Sequence, residues 1–179
     1  WGNIKSPADF ERVCRLAVCG LDALLSYQNY PILAAQLSTE KRRPLGVGII
    51  NFAYWLAKHD LTYQNIDSKG LQLVDEYAEA WSYYLIKASA DLAVEFGAPS
   101  GNMETKYGHG ITPNQTYKKD LDELIPHVER MDWTTLREQL KDTGIRNSTL
   151  MALMPAETSA QIANATNGIE PPRSLISVK

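Results

Sequence analysis

A chain of 179 residues, 44% hydrophobic and 22% charged, has the size and balance of one globular domain. Its formal net charge of −3 argues against a general nucleic-acid surface, which needs basic excess to displace counterions, so any anion must be held locally. No charged-then-apolar leader opens the sequence and no uninterrupted apolar run is long enough to cross a bilayer, so the expectation is a soluble, cytoplasmic protein.

Trp1 to Ser6 reads as a connector entered in mid-chain, with no initiator Met and an exposed aromatic first, as expected of a piece of a longer protein. Ser6-Pro7 has N-cap and N1 preferences, and Phe10, Val13, Cys14, Ala17, Val18, Leu21, Leu24 and Leu25 recur at helical steps. This predicts a helix to about Tyr27 with one face in a core. Cys14 and Cys19, the only thiols, have the spacing of neither a redox pair nor a metal site and read as structural. Tyr30-Pro31 breaks the helix, and Ile32 to Gln36 forms a brief turn. Lys41-Arg42-Arg43 precedes Pro44, Gly46 and Gly48 without completing a P-loop or a dinucleotide fingerprint, and reads as a solvated basic loop. From Val47 a second helix is predicted through Lys58 and closed by His59; Asn51 on it is either a buried hydrogen-bonding residue or faces solvent. Gly46 and Gly48 would let backbones approach closely at its start.

Ile66 to Gly70 is a polar joint. Leu71, Val74, Tyr77, Ala78, Trp81, Tyr84, Leu85, Ala88, Leu92 and Phe96 then keep helical spacing over about seven turns, the pattern of a helix packed along a large body. Gly97 to Pro113 is a long irregular loop, Thr116 to Asp120 starts a short helix, and His109 and His127 read as surface histidines. Trp133 to Lys141 is another helix, delivering the chain through Thr143-Gly144 into the stretch that carries the chemistry.

That stretch runs from Arg146 to Gly168 and predicts strand, tight turn, short helix. Leu150 to Met154 is an apolar run of strand length, closed by Pro155. Thr158 and Gln161 have capping-box spacing, and Asn167-Gly168 is a stop signal. A helix start presents free N–H groups and the positive end of the dipole, and Thr158 and Ser159 add hydroxyl donors. These residues either merely cap a helix or hold a phosphate. Leu153 and Met154 read first as core, and otherwise as an apolar wall beside a ligand. Beyond it, Gly168-Ile169-Glu170-Pro171-Pro172-Arg173 is rigid and extended, and Ser174 to Lys179 is expected to start a strand.

A long spaced pattern runs through this region: Trp133-x-x-Leu136, Gly144-Ile145-Arg146-Asn147, Met151-Ala152 and Pro155. Together with Lys41 to His59, Thr116-Tyr-Lys-Lys-Asp-Leu-Asp122 and Asn167-Gly-Ile-Glu-Pro-Pro-Arg173, it resembles the large (α) subunit of class I ribonucleotide reductase of the bacterial and phage type. The order and separations of the blocks fit across essentially the whole chain.

The resemblance implies an α/β fold, a helix-rich portion of a ten-stranded α/β barrel, with a helical part over 1–143, a strand–turn–helix over 144–168 and an extended tail over 169–179. It implies part of an enzyme that reduces ribonucleoside diphosphates to deoxyribonucleoside diphosphates for DNA synthesis, by replacing the ribose 2′-hydroxyl with hydrogen. Carried over residue by residue, Pro155, Ala156, Glu157, Thr158 and Ser159 would be the diphosphate-binding segment, with the Glu157 side chain turned away from the phosphates. Ala156 departs from the family, which usually has serine there; a hydrogen bond to a charged group is worth about 1.5–3 kcal/mol, so backbone amides would carry more of the binding. The motifs of the radical-bearing cysteine, the reducing cysteine pair and the allosteric sites are not found in this sequence, so no catalytic residue and no metal ligand is assigned to it. The family further implies a metal-containing small subunit that supplies the radical, the remaining part of the large subunit, a thioredoxin- or glutaredoxin-type reductant, and ATP or dATP effectors bound elsewhere. Alone, the chain is expected to be inactive. The contrasting expectation is a non-enzymatic helical module that has kept the family sequence and binds a protein partner through its long helix.

Overall fold

A computed structural model describes residues 1–174. Its helices are α1 (Asp9–Tyr27), α2 (Leu33–Arg42), α3 (Phe52–Lys58), α4 (Ser68–Phe96), α5 (Pro113–Thr116), α6 (Trp133–Thr143) and α7 (Glu157–Ile162), with short 3₁₀ turns at Asn102–Glu104, Tyr107–His109 and Lys119–Glu123. No helix among the described residues is long and apolar enough to cross a membrane.

The fold is built around α4. Asp67 caps it by accepting the Gly70 amide at 2.8 Å, and Gly97, at φ 80°, ends it. Ala88, Ser89 and Ala90 are buried in succession, so more than one face of the helix is covered there. Helix α1 covers one flank through Phe10, Cys14 and Val18, and α6 covers another through Trp133, Leu136 and Leu140. At the far end Trp1, Phe10, Phe52, Trp55 and Tyr77 form an aromatic cluster with ring centroids 4.8–6.1 Å apart, in which Trp1 meets Phe10, Phe52 and Trp55 edge to face and Phe52 stacks on Trp55. Trp1 is therefore a half-buried member of the core, not the exposed connector residue expected, because its flat indole fills the angle between α1 and α3. Tyr83 and Tyr84 pack edge to face with each other, and Tyr83 with Trp133.

Several expectations change. Helix α1 begins at Asp9, whose carboxylate accepts the Lys5 and Ser6 amides, rather than at Pro7. The brief turn at Ile32–Gln36 is the opening of α2, ten residues long, supported by a Gln36–Glu40 side-chain pair and by Lys41 and Arg42 at its negative end. The basic triplet is thus no loop. Lys41 and Arg42 pair with Glu104 at the surface, while Arg43 turns into the core in a left-handed conformation, φ 45°. Helix α3 starts at Phe52 and not at Val47, because Leu45 to Val47 is committed to pairing with residues 149–152.

That pairing is all that forms of the strand expected over Leu150–Met154. The Leu45 and Val47 amides donate to the carbonyls of Thr149 and Leu150, the Ala152 amide donates to Val47, and the result is one parallel bridge, Val47 to Met151. With one short neighbour, Leu153 and Met154 leave the ladder and stand exposed. Among the described residues there is no longer strand, so the α/β barrel is not visible within this chain. The strand expected over Ser174–Lys179 lies, apart from Ser174, outside the described residues.

Candidate diphosphate site at the start of α7

The segment from Gly144 to Gly168 is anchored at one end and open at the other. Asn147 is fully buried: its amide donates to Ser89 Oγ at 2.9 Å, Ser89 Oγ donates to Asn147 Oδ1 at 2.8 Å, and Asn147 Nδ2 donates to Asp22 Oδ1 and to the Arg43 carbonyl. Arg43 Nε meets Asp22 Oδ1 at 2.7 Å, its Nη2 donates to the Asp22 carbonyl and Ser26 Oγ, and Arg146 Nε reaches Asp22 Oδ2 at 3.3 Å. Burial works to raise the Asp22 carboxyl, but the hydrogen bonds from Arg43 and Asn147 and the charges of Arg43 and Arg146 outweigh it and hold Asp22 below the ordinary carboxylate range. Asp22 and Arg43 gave no periodic signal in the sequence; the only hint was a charge on the apolar side of α1.

At the open end, α7 begins one residue before Thr158. Ala156 occupies the N-cap position without a side-chain cap, so the Thr158–Gln161 capping box is not formed and both hydroxyl residues of the pair Thr158-Ser159 lie in the first turn, exposed. The first-turn amides have no preceding turn to supply carbonyls. The helix ends at Ile162, and Asn164, at φ 49°, makes the turn that Asn167-Gly168 was expected to make. Asn167 acts instead on the helix start, its Oδ1 accepting the Ala156 amide at 2.7 Å. Beside this point lies a cleft of about 190 Å³, lined by Ile49, Leu153, Met154, Pro155, Asn167, Gly168, Ile169 and Glu170. Leu153 and Met154 therefore form its wall and not core. Of the segment expected to bind phosphate, Pro155 lines the cleft and Ala156, Glu157, Thr158 and Ser159 form the adjoining turn.

Residues 4–179 match the family model described as ribonucleotide reductase, barrel domain. The chain belongs to the ribonucleotide reductase barrel-domain family. It is 51% identical over 178 residues, 99% of its length, to the ribonucleoside-diphosphate reductase subunit alpha of Buchnera aphidicola, covering 23% of that protein. It is 54% identical over 155 residues to the ribonucleoside-diphosphate reductase 1 subunit alpha of Escherichia coli, covering 87% of the chain and 20% of the relative. With the subunit alpha of Enterobacteria phage T4 the identity is 44% over 174 residues, 96% of the chain and 22% of the relative. The chain thus spans about a fifth of the length of the reductase subunits it matches, and corresponds to a segment of their barrel domain.

Two residues with a bearing on the site escaped the sequence reading. In the sequence Asn167 has the place of a helix stop, and Asn51 reads equally as core or solvent-facing. Asn51 is half-buried and hydrogen-bonded: its amide donates to the Thr166 carbonyl at 2.8 Å and its Oδ1 accepts the Thr166 amide at 3.1 Å.

Proposed function

We propose that this chain supplies the substrate-diphosphate segment of a ribonucleoside-diphosphate reductase large subunit, with Pro155, Ala156, Glu157, Thr158 and Ser159 facing the phosphates. The observation that carries this is the exposed first turn of α7, with its two hydroxyls, opening beside a cleft in a chain about half identical to proteins named for ribonucleoside diphosphates. Backbone N–H groups at a helix start attract anions, and the Thr158 and Ser159 hydroxyls add neutral donors that suit a diphosphate without needing a lysine. Ala156 adds no hydroxyl, which leaves its turn to bind through the main chain.

The segment would bind and orient substrate, and the chemistry at the ribose would be supplied from the rest of the large subunit. Cys14 and Cys19 do not serve as its thiols: Cys14 is buried, its thiol pushed up to about 12 by that burial, and Cys19 lies one and a half turns along the same helix, partly buried. The partners that follow are the remaining part of the large subunit, a metal-containing small subunit and a thioredoxin- or glutaredoxin-type reductant, with ATP or dATP acting elsewhere on the complete subunit.

The test is reconstitution of the complete large subunit with its small subunit, assayed for ribonucleoside diphosphate reduction. Replacing Thr158 and Ser159 together by alanine is expected to raise KM at least tenfold, with kcat changed less. Unchanged KM would remove the site from this segment. A folded chain that supports no reduction in any combination would leave the helical, non-enzymatic module as the better reading.

A further inference from the structure

We infer that Asn51 and Asn167 are positioning residues, which together hold the diphosphate segment at its working angle; this rests on the proposed reading of Pro155–Ser159. The argument starts from the local geometry of α7. A six-residue helix flanked by exposed turns has little of its own to fix its direction, since its buried contact is Ala160 alone. Its start is instead tied down from outside. Asn167 Oδ1, eleven residues on, accepts the Ala156 amide at 2.7 Å, closing a ring of chain around the cleft. The residue before it, Thr166, is held in turn by Asn51 through a reciprocal pair of bonds, amide to carbonyl at 2.8 Å and amide to side-chain oxygen at 3.1 Å.

Asn51 is well chosen for this. It sits at φ 65°, which asparagine tolerates and most side chains resist, and its carbonyl accepts the Trp55 amide to start α3. Strained backbone of this kind persists where the surroundings over-determine it. Here the surroundings are the α3 start, Thr166 and the packing of Asn51 Nδ2 against Gly2. The chain of contacts thus runs from the aromatic core at Trp55, through Asn51 and Thr166, to Asn167 and the Ala156 turn. Pre-setting that turn would spare the substrate the cost of ordering it.

The experiment uses the complete reductase holoenzyme and compares Asn167→Ala, Asn51→Gly and Asn51→Asp with Thr158→Ala/Ser159→Ala. Glycine at 51 accepts the backbone angle but loses the acceptor; aspartate keeps both. The expected result is a KM for ribonucleoside diphosphate raised about tenfold in Asn167→Ala and several-fold in Asn51→Gly, with kcat within twofold and Asn51→Asp close to the unaltered enzyme. KM unmoved in Asn167→Ala and Asn51→Gly, while the Thr158/Ser159 pair raises it, would overturn the clasp and leave the diphosphate site standing. A loss of thermal stability and kcat without a KM change would show a structural role only, and also overturns it. KM unmoved in all variants would refute the site itself.

Discussion

The Gly144–Gly168 segment carries two polar clusters of opposite character. Around Asn147 every polar atom is enclosed and answered: Asp22, Arg43, Ser89 and Asn147 are all buried, and each bond is between groups fixed by a different element. Around Thr158 the polar groups are exposed and sit on a helix of six residues. The first arrangement has low dielectric, high cost of error and no room for a ligand; the second is open to solvent. The sealed cluster at Asn147 and the open one at Thr158 are thus neighbours in sequence, with the bridge Val47–Met151 between them.

The difference is broken most severely at Asp22. Replacing it by alanine would leave Arg43 buried without its carboxylate and Arg146 and Asn147 without a common partner, and removal of one member of a buried pair typically costs about 3–5 kcal/mol. Denaturant unfolding of Asp22→Ala should show a loss in this range; a loss below about 1 kcal/mol would mean that the cluster is not what anchors the segment. The same carboxylate sets an acid dependence. Its folded pKa lies below the unfolded value of roughly 3.9, so its contribution is fully present above that value and is lost as pH falls through the folded pKa. The unfolding midpoint should therefore fall on acidification below about pH 4, and fall less steeply in Asp22→Asn, which has no proton to take up.

A smaller break lies where the two clusters meet. A Cβ added at Gly48 would stand 2.5 Å from Met154 Sδ and 2.8 Å from the Ala152 carbonyl oxygen, a backbone atom of the residue whose amide is bonded to the Val47 carbonyl. Gly48→Ala is expected to cost about 1–3 kcal/mol and to displace Met154 from the cleft wall. At Gly46 the added atom meets Ala152 and Met154 at 3.4 and 3.5 Å, ordinary contact, so Gly46→Ala should be tolerated and serves as the control in the same unfolding measurement.

How much of this the sequence disclosed follows from which interactions are local. Helices α1, α4 and α6 are legible because their apolar spacing lies within each element. The family was legible because its motifs are long and ordered. What failed depended on distant partners. The 150–154 strand was over-read because an apolar run says nothing about how many neighbours it has. The start of α3 was misread because Leu45–Val47 pairs with residues some hundred positions away. Arg43 reads as a loop residue because its carboxylate partner, Asp22, lies far off in sequence on α1. Around the candidate site, Thr158 and Ser159 are singled out by residue type and motif, whereas Asn51 and Asn167 are not, since their bonds to Thr166 and Ala156 close only in the folded chain.

The finest test of the comparison is a measurement expected to show almost nothing. Thr158 and Ser159 are exposed and neither caps α7, so replacing both by alanine should move the unfolding free energy by no more than about 0.5 kcal/mol. Alanine's higher helix propensity sets the sign toward slight stabilisation. The same double variant is expected to raise KM for the diphosphate substrate, so stability and binding would part at this turn. If the double variant instead loses more than about 1 kcal/mol, the two hydroxyls are serving the fold, and the open end of the segment is as structural as the sealed one.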